Sequence, residues 1–128
     1  TPLARVLVVE DEALFARAVA RRLEKAGYGC RTVGRLAEAE AVLREEGADL
    51  ILLDMRLPDG SGLDFLQRLR ERIDPQLAVI AMSAYGEVED AVAAMKYAAS
   101  DYLKTPVDLD EMLVNGEKVL VHQRVSRQ

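Results

Sequence analysis

Glu10 and Asp11 stand side by side directly after an apolar run, Val6 to Val9, and Asp54 stands directly after another, Leu50 to Leu53. Ser83 follows a third run, Ala78 to Met82, and Lys104 and Thr105 follow a weaker one, Asp101 to Leu103. Three carboxylates brought together repel by roughly 4 kcal/mol per pair at about 4 Å and an effective dielectric near 20, so a bound cation is the natural compensation. Oxygen ligands favour magnesium, which takes only one or two carboxylates, keeps several waters and leaves positions for phosphate oxygens. An aspartate can also attack phosphorus and hold the group as an acyl phosphate. Such transfer needs mainly positioning and charge neutralisation, which a metal, a hydroxyl such as that of Ser83 and backbone amides supply.

Each residue has a blander reading when taken singly. An acidic pair after a strand complements the dipole of the helix that follows. Asp54 and Ser83 could cap turns, with Met55 to Gly62 as a Gly/Pro loop. Joint placement at one edge of one sheet is what favours the chemical reading.

The elements that must position these residues are legible as alternating patterns. The three continuous apolar runs read as parallel strands buried on both faces. Cys30 to Val33 and Asp101 to Leu103 are weaker strand candidates. Helical spacing appears between them: Leu14, Ala18 and Leu23 within Glu12 to Ala26; Leu36, Ala39 and Leu43 within Leu36 to Glu46; Leu63, Leu66 and Leu69 within Gly62 to Ile73. Two more helices are expected from Val88 to Ala98 and from Leu109 to about Arg124, the last entered through Asp108 as N-cap. Gly27, Gly29 and Gly47 fall where helices should end. A β-α order repeated five times implies a parallel sheet with helices on both faces and right-handed crossovers. Ligands of such sheets bind beyond the carboxyl ends of the strands, where strand order reverses.

At 128 residues the chain fits one domain, residues 1–128, and half its residues are hydrophobic, enough for a packed core. No run approaches the roughly 18 to 20 apolar residues of a spanning helix, and the N-terminal stretch lacks a signal-peptide layout, so a soluble, cytoplasmic protein with no membrane partner is expected. The formal charge of -5 argues against a phosphate-gripping surface, and hence against direct nucleic-acid binding by this domain. Cys30, alone, reads as a small buried hydrophobe, and His122 as an exposed helix residue rather than a phosphodonor.

Over essentially its whole length the sequence resembles the receiver domains of two-component response regulators. VLVVEDE is similar to their acidic-pair strand, LILLDMRLPDGSG to their phosphoacceptor strand and loop, and AMSAYG to their hydroxyl-bearing strand; DYLKTP matches the last strand imperfectly. The resemblance implies a flavodoxin-like α/β fold: a doubly wound, five-stranded parallel (βα)5 sheet of order 2-1-3-4-5. It further implies that Asp54 is phosphorylated and that Asp11, Asp54 and the backbone carbonyl of Arg56 ligate magnesium (Mg2+), with Glu10 acting through a water. Ser83 would hydrogen-bond the phosphoryl group, Ala84 would leave room for it, and Tyr102 would swing between exposed and buried rotamers. A half-buried strand aromatic is the plain alternative for Tyr102.

The last helix and tail, together with AVAAMKYAASDYL, look most like the nitrogen-regulator receivers that control sigma-54 transcription. That implies a sensor histidine kinase as phosphodonor, ATPase and DNA-binding output domains in the full-length chain, a face of fourth helix, fifth strand and fifth helix that changes shape, and a possible homodimer. One departure concerns the phosphate-contacting lysine, which in the family immediately precedes the proline. Here Lys104 and Thr105 appear in transposed order before Pro106. Because strand side chains alternate sides, the shift should aim Lys104 away from the site and Thr105 toward it, unless the backbone bulges locally or Lys104 curls back on its four-carbon stem to substitute in part.

Two competing classes remain at this point. A phosphorylation-independent interaction module could retain the fold and lose the switch. A phosphatase of the haloacid-dehalogenase type also uses a strand-end aspartate, but wants a second aspartate two residues on, where Arg56 stands.

Overall fold

The computed structural model describes residues 2–84 and 88–126; of the side chains within these, those of residues 84, 88 and 126 lie outside the description. Strand β1 (Arg5–Val9) leads to helix α1 (Ala13–Lys25), β2 (Gly29–Val33), α2 (Leu36–Glu45) and β3 (Leu50–Asp54). A two-residue hairpin, β4 (Arg56–Leu57) and β5 (Gly60–Ser61), precedes α3 (Gly62–Arg68), which runs on into a π-helical turn, Leu69–Ile73. Then come β6 (Ala78–Ala84), α4 (Val88–Lys96), β7 (Asp101–Thr105) and α5 (Leu109–Ser126).

The five long strands form one parallel sheet of order β2-β1-β3-β6-β7, the doubly wound order expected. Alternation along each strand divides the core in two. Leu7, Val9, Ile51, Leu53, Val79 and Ala81 face α2, α3 and α4, where they meet Ala39, Leu66 and Ala94. Val6, Val8, Leu50, Leu52, Ile80 and Met82 face α1 and α5, where they meet Val19, Leu23, Met112 and Leu120. Burying each such side chain contributes about 1.5–3 kcal/mol, which is why continuous apolar runs become the central strands.

The apolar spacing expected for α1 requires correction. Leu14 is 76% exposed and Ala18 is also exposed, whereas Ala16, Val19 and Leu23 are buried. The inward stripe is thus offset, because the angle at which α1 lies on the sheet selects which residues face it. Gly29 does not end a helix but opens β2, pairing with Arg5. Gly27 and Gly47 do lie past helix ends, with φ of 100° and 75°. The hairpin β4–β5 and the π-helical turn carried no sequence pattern that announced them.

Side chains secure the starts of three helices, two locally and one from a distance. Ser61 Oγ accepts from Leu63 N and Asp64 N at the start of α3, and Asp108 Oδ1 accepts from Asp110 N and Glu111 N at the start of α5. At α2 the preceding residue, Arg35, makes no side-chain cap. Asp59, at the tip of the β4–β5 hairpin, supplies it instead, accepting from Leu36 N at 2.9 Å and Ala37 N at 3.2 Å. Those amides, that of Leu36 foremost, lower the pKa of Asp59.

Candidate functional site

β1, β3 and β6 end at one edge of the sheet, and each delivers polar side chains there. Val9, at the end of β1, pairs with Leu53, and Asp54, at the end of β3, pairs with Met82, the neighbour of Ser83. Glu10, Asp11 and Asp54 each offer a carboxylate oxygen, and these atoms lie within 4.8 Å of one another. Glu10 is buried, Asp54 half-buried and Asp11 exposed. Ser83, beside them on β6, is buried.

Electrostatics at this edge favour a cation. Burial, the largest cause, together with the neighbouring Asp54 and Asp11 carboxylates and against the opposing Glu12 amide, lifts the pKa of Glu10 from 4.5 to about 7. That amide donates to Glu10 Oε1 at 3.1 Å, so the carboxyl group is held at the start of α1. An all-oxygen donor set of one buried and two more accessible acids fits magnesium, which needs few protein ligands and retains waters.

Arg56 N donates to Asp54 Oδ1 at 3.1 Å, turning the chain immediately after β3 and holding the Arg56 backbone against the acid. Met55 N donates to the carbonyl of Met82 and Gly62 N to that of Met55, so both ends of the hairpin loop are tied to the sheet edge. A cavity of about 370 Å³ opens beside Asp54, lined by Glu10, Glu12, Phe15, Arg56, Ser83, Thr105 and Pro106.

The transposed pair is distributed across this geometry. Thr105 lines the cavity and its hydroxyl donates to the backbone carbonyl of Ser83 at 3.1 Å. Lys104, paired in register with Ser83, is exposed and is not among the described residues lining the cavity. The Thr105–Pro106 peptide is cis. Tyr102 is half-buried and packs against the core on the α2, α3 and α4 side. Ala84 pairs with Thr105 through its backbone, and its side chain lies outside the described residues.

Residues that sequence reasoning passed over also belong here. Asp90, in the first turn of α4, accepts from Ser83 Oγ at 3.4 Å and pairs with Arg56 Nη2 at 3.6 Å. Gly62 packs against the backbone of Asp54 and Met55. Asp90 carried no signal beyond that of an ordinary first-turn acid; Gly62 was legible only as part of a turn.

Fold and site together define a class: a doubly wound α/β domain with clustered acids beyond its central strands, suited to holding a cation beside an anionic group. The chain belongs to the response regulator receiver domain family, whose family model matches residues 6–115. It is 36% identical over 118 residues to the photosynthetic apparatus regulatory protein RegA of Cereibacter sphaeroides, covering 89% of this chain and 64% of that protein. It is 34% identical over 123 residues to the DNA-binding transcriptional regulator NtrC of Proteus hauseri, covering 96% of this chain and 26% of that protein. A crystal structure of NtrX from Brucella abortus superposes with a TM-score of 0.91 at 29% identity, over 97% of this chain and 29% of that one. The chain therefore spans less than two thirds of either of these regulators. No helix among the described residues is long and apolar enough to cross a membrane.

Proposed function

We propose that this domain is a phosphorylation-dependent signalling switch of a two-component system, in which Asp54 accepts a phosphoryl group from a phosphohistidine of a sensor histidine kinase. The observation that carries this reading is the convergence of Glu10, Asp11 and Asp54 within 4.8 Å beside the buried Ser83. An Asp54 carboxylate oxygen attacks phosphorus, the donor's phosphorus–nitrogen bond breaks, and its electron pair returns to the imidazole. Asp11, Asp54 and the carbonyl of Arg56 are the groups that would hold magnesium, with Glu10 acting through a water. Bound there, the ion supplies charge neutralisation for the phosphoryl oxygens. In this reading Ser83 turns to hydrogen-bond the phosphoryl group, Ala84 leaves it room, Thr105 adds a neutral hydroxyl, and Tyr102 changes rotamer. Loss of the group by slow hydrolysis makes the domain a regulator rather than a turnover enzyme.

The output face in this reading is α4, β7 and α5. It is supported by apolar side chains left in solvent on both helices flanking that edge strand: Val92 and Met95 on α4 and Val114 on α5. In this reading the face acts on ATPase and DNA-binding domains of a longer cytoplasmic chain, or pairs with a second copy; the DNA-binding output is supported by similarity to the DNA-binding transcriptional regulator NtrC, over a quarter of that protein's length.

Acetyl phosphate labelling tests the assignment. Magnesium-dependent incorporation is expected, and Asp11→Ala or Asp54→Ala is expected to abolish it. Label persisting in the Asp54→Ala protein overturns the phosphoacceptor assignment. The exposed position of Lys104 outside the cavity favours a second reading, a phosphorylation-independent interaction module. That reading requires no label in the unaltered chain.

A further inference from the structure

Resting on the signalling reading above, we propose that Arg56 provides the cationic side chain for the phosphoryl group on Asp54, and that Asp90 is its counter-ion in the unphosphorylated state, so that Arg56 and Ser83 leave Asp90 together. Three observations converge on this pair. The described residues lining the cavity beside Asp54 include one basic side chain, and it is Arg56. Thr105, which lines the same cavity next to Pro106, is neutral and its hydroxyl proton is already directed at the carbonyl of Ser83. Arg56 Nη2 and Ser83 Oγ meet one and the same atom, Asp90 Oδ2, at 3.6 Å and 3.4 Å.

Both contacts to Asp90 are long for their type, and the Arg56 side chain is 70% exposed. An exposed ion pair of this kind contributes little, so it yields readily to a better anion. A phosphoryl group carries about -1.5 to -2 charge near neutral pH and three strong acceptor oxygens, against a single negative charge on Asp90. A guanidinium donates through a planar fork that suits phosphate, and its charge-assisted bonds are roughly twice as strong as neutral ones. The Arg56 backbone is already fixed against Asp54 by its own amide, at 3.1 Å from Oδ1, which keeps the root of the side chain beside the acid. Because Asp90 lies in the first turn of α4, the exchange removes two contacts that tie this helix to the site. The switch is thereby connected to α4 through residues outside β7.

The test is a beryllofluoride titration of the chain in saturating magnesium, followed through the Ser83 amide resonance. Binding by the unaltered chain is expected; its absence overturns the signalling reading and this proposal with it. Given that binding, Arg56→Ala is expected to weaken beryllofluoride by about tenfold or more, and Arg56→Lys by less, because it retains charge but loses the fork. Asp90→Asn is expected to tighten binding several-fold in the unaltered background and by clearly less when combined with Arg56→Ala, where only the Ser83 contact is left to release. Magnesium affinity measured without beryllofluoride separates loss of the metal from loss of the guanidinium. Unchanged beryllofluoride affinity in Arg56→Ala, a fall matched by an equal fall in magnesium affinity, or a larger loss from Lys104→Ala overturns the proposal while leaving the signalling reading intact.

Discussion

A Cβ built on Gly62 would stand 2.5 Å from the carbonyl oxygen of Asp54 and 2.6 Å from the Cα of Met55, so the start of α3 is pressed against the backbone of Asp54, the proposed phosphoacceptor. The neighbouring atoms are main chain and cannot rotate away. Gly62→Ala is therefore expected to push β3 and α3 apart at a cost of about 1–3 kcal/mol, within the range of overpacked interiors. Chemical denaturation with the slope held constant checks the energy. Acetyl phosphate labelling of the folded fraction, expected to slow, checks that Asp54 has moved; unchanged labelling and midpoint would show that the contact relaxes freely.

Glu10 supplies a second expectation, in which stability and metal binding move in opposite directions. Its carboxylate is buried beside two other acids, so Glu10→Gln is expected to raise the metal-free stability by on the order of 1–3 kcal/mol. Magnesium at about 100 times its dissociation constant stabilises a binding protein by about 2.7 kcal/mol, and that increment is expected to shrink in the variant. Thermal unfolding with and without magnesium measures both. A variant that is less stable without metal would contradict this account of the cluster.

Acid unfolding offers a third test at Glu40, whose carboxylate bonds Arg68 Nε at 2.6 Å and Arg44 Nε at 3.2 Å. Arg68 first, and Arg44 after it, lower its pKa from 4.5 to about 2. A depressed carboxylate contributes stability that is complete above its unfolded value and disappears as protons bind in the folded state. The contribution is thus full above about pH 4.5 and lost as pH falls toward about 2. Glu40→Gln is expected to lower stability at neutral pH and to converge with the unaltered chain near pH 2. Parallel stability curves over that window would rule out the Arg68 pairing as their source.

Ala98 holds a left-handed backbone, φ 61°, between α4 and β7. Non-glycine residues there cost about 1–2 kcal/mol, partly offset because glycine loses more freedom on folding. Ala98→Gly is expected to raise stability by about 0.5–1 kcal/mol. Arg70 donates to the carbonyls of Tyr97 and Ala98, so this turn is also held from the π-helical segment. A loss of stability in Ala98→Gly would mean that the methyl group packs usefully.

Much of the fold was legible because its signals are local. Runs such as Leu50 to Leu53 and Ala78 to Met82 are apolar at every position, which only strands covered on both faces require, and Asp108 announced the start of α5 by its type. Which face of α1 is buried was less legible. Leu14 and Ala16 both have helical partners at suitable spacing, and the sheet onto which the helix packs chooses between them. The hairpin between Asp54 and Gly62 was visible only as a loop, because its strands, two residues each, are too short to show alternation, and their pairing is anchored by Met55 and Gly62 at the ends of β3 and α3.

The sequence by itself determined the strand-end placement of Glu10, Asp11, Asp54 and Ser83, since each follows an apolar run whose end is read directly and a parallel sheet gathers such ends at one edge. Only the tertiary structure decided what surrounds them. Asp59 caps a helix 23 residues before it, Thr105 rather than Lys104 lines the cavity, and Asp90 meets both Arg56 and Ser83. Those contacts join segments distant in the chain, so they depend on how helices and loops lie across the sheet, a geometry that local periodicity and residue type do not encode.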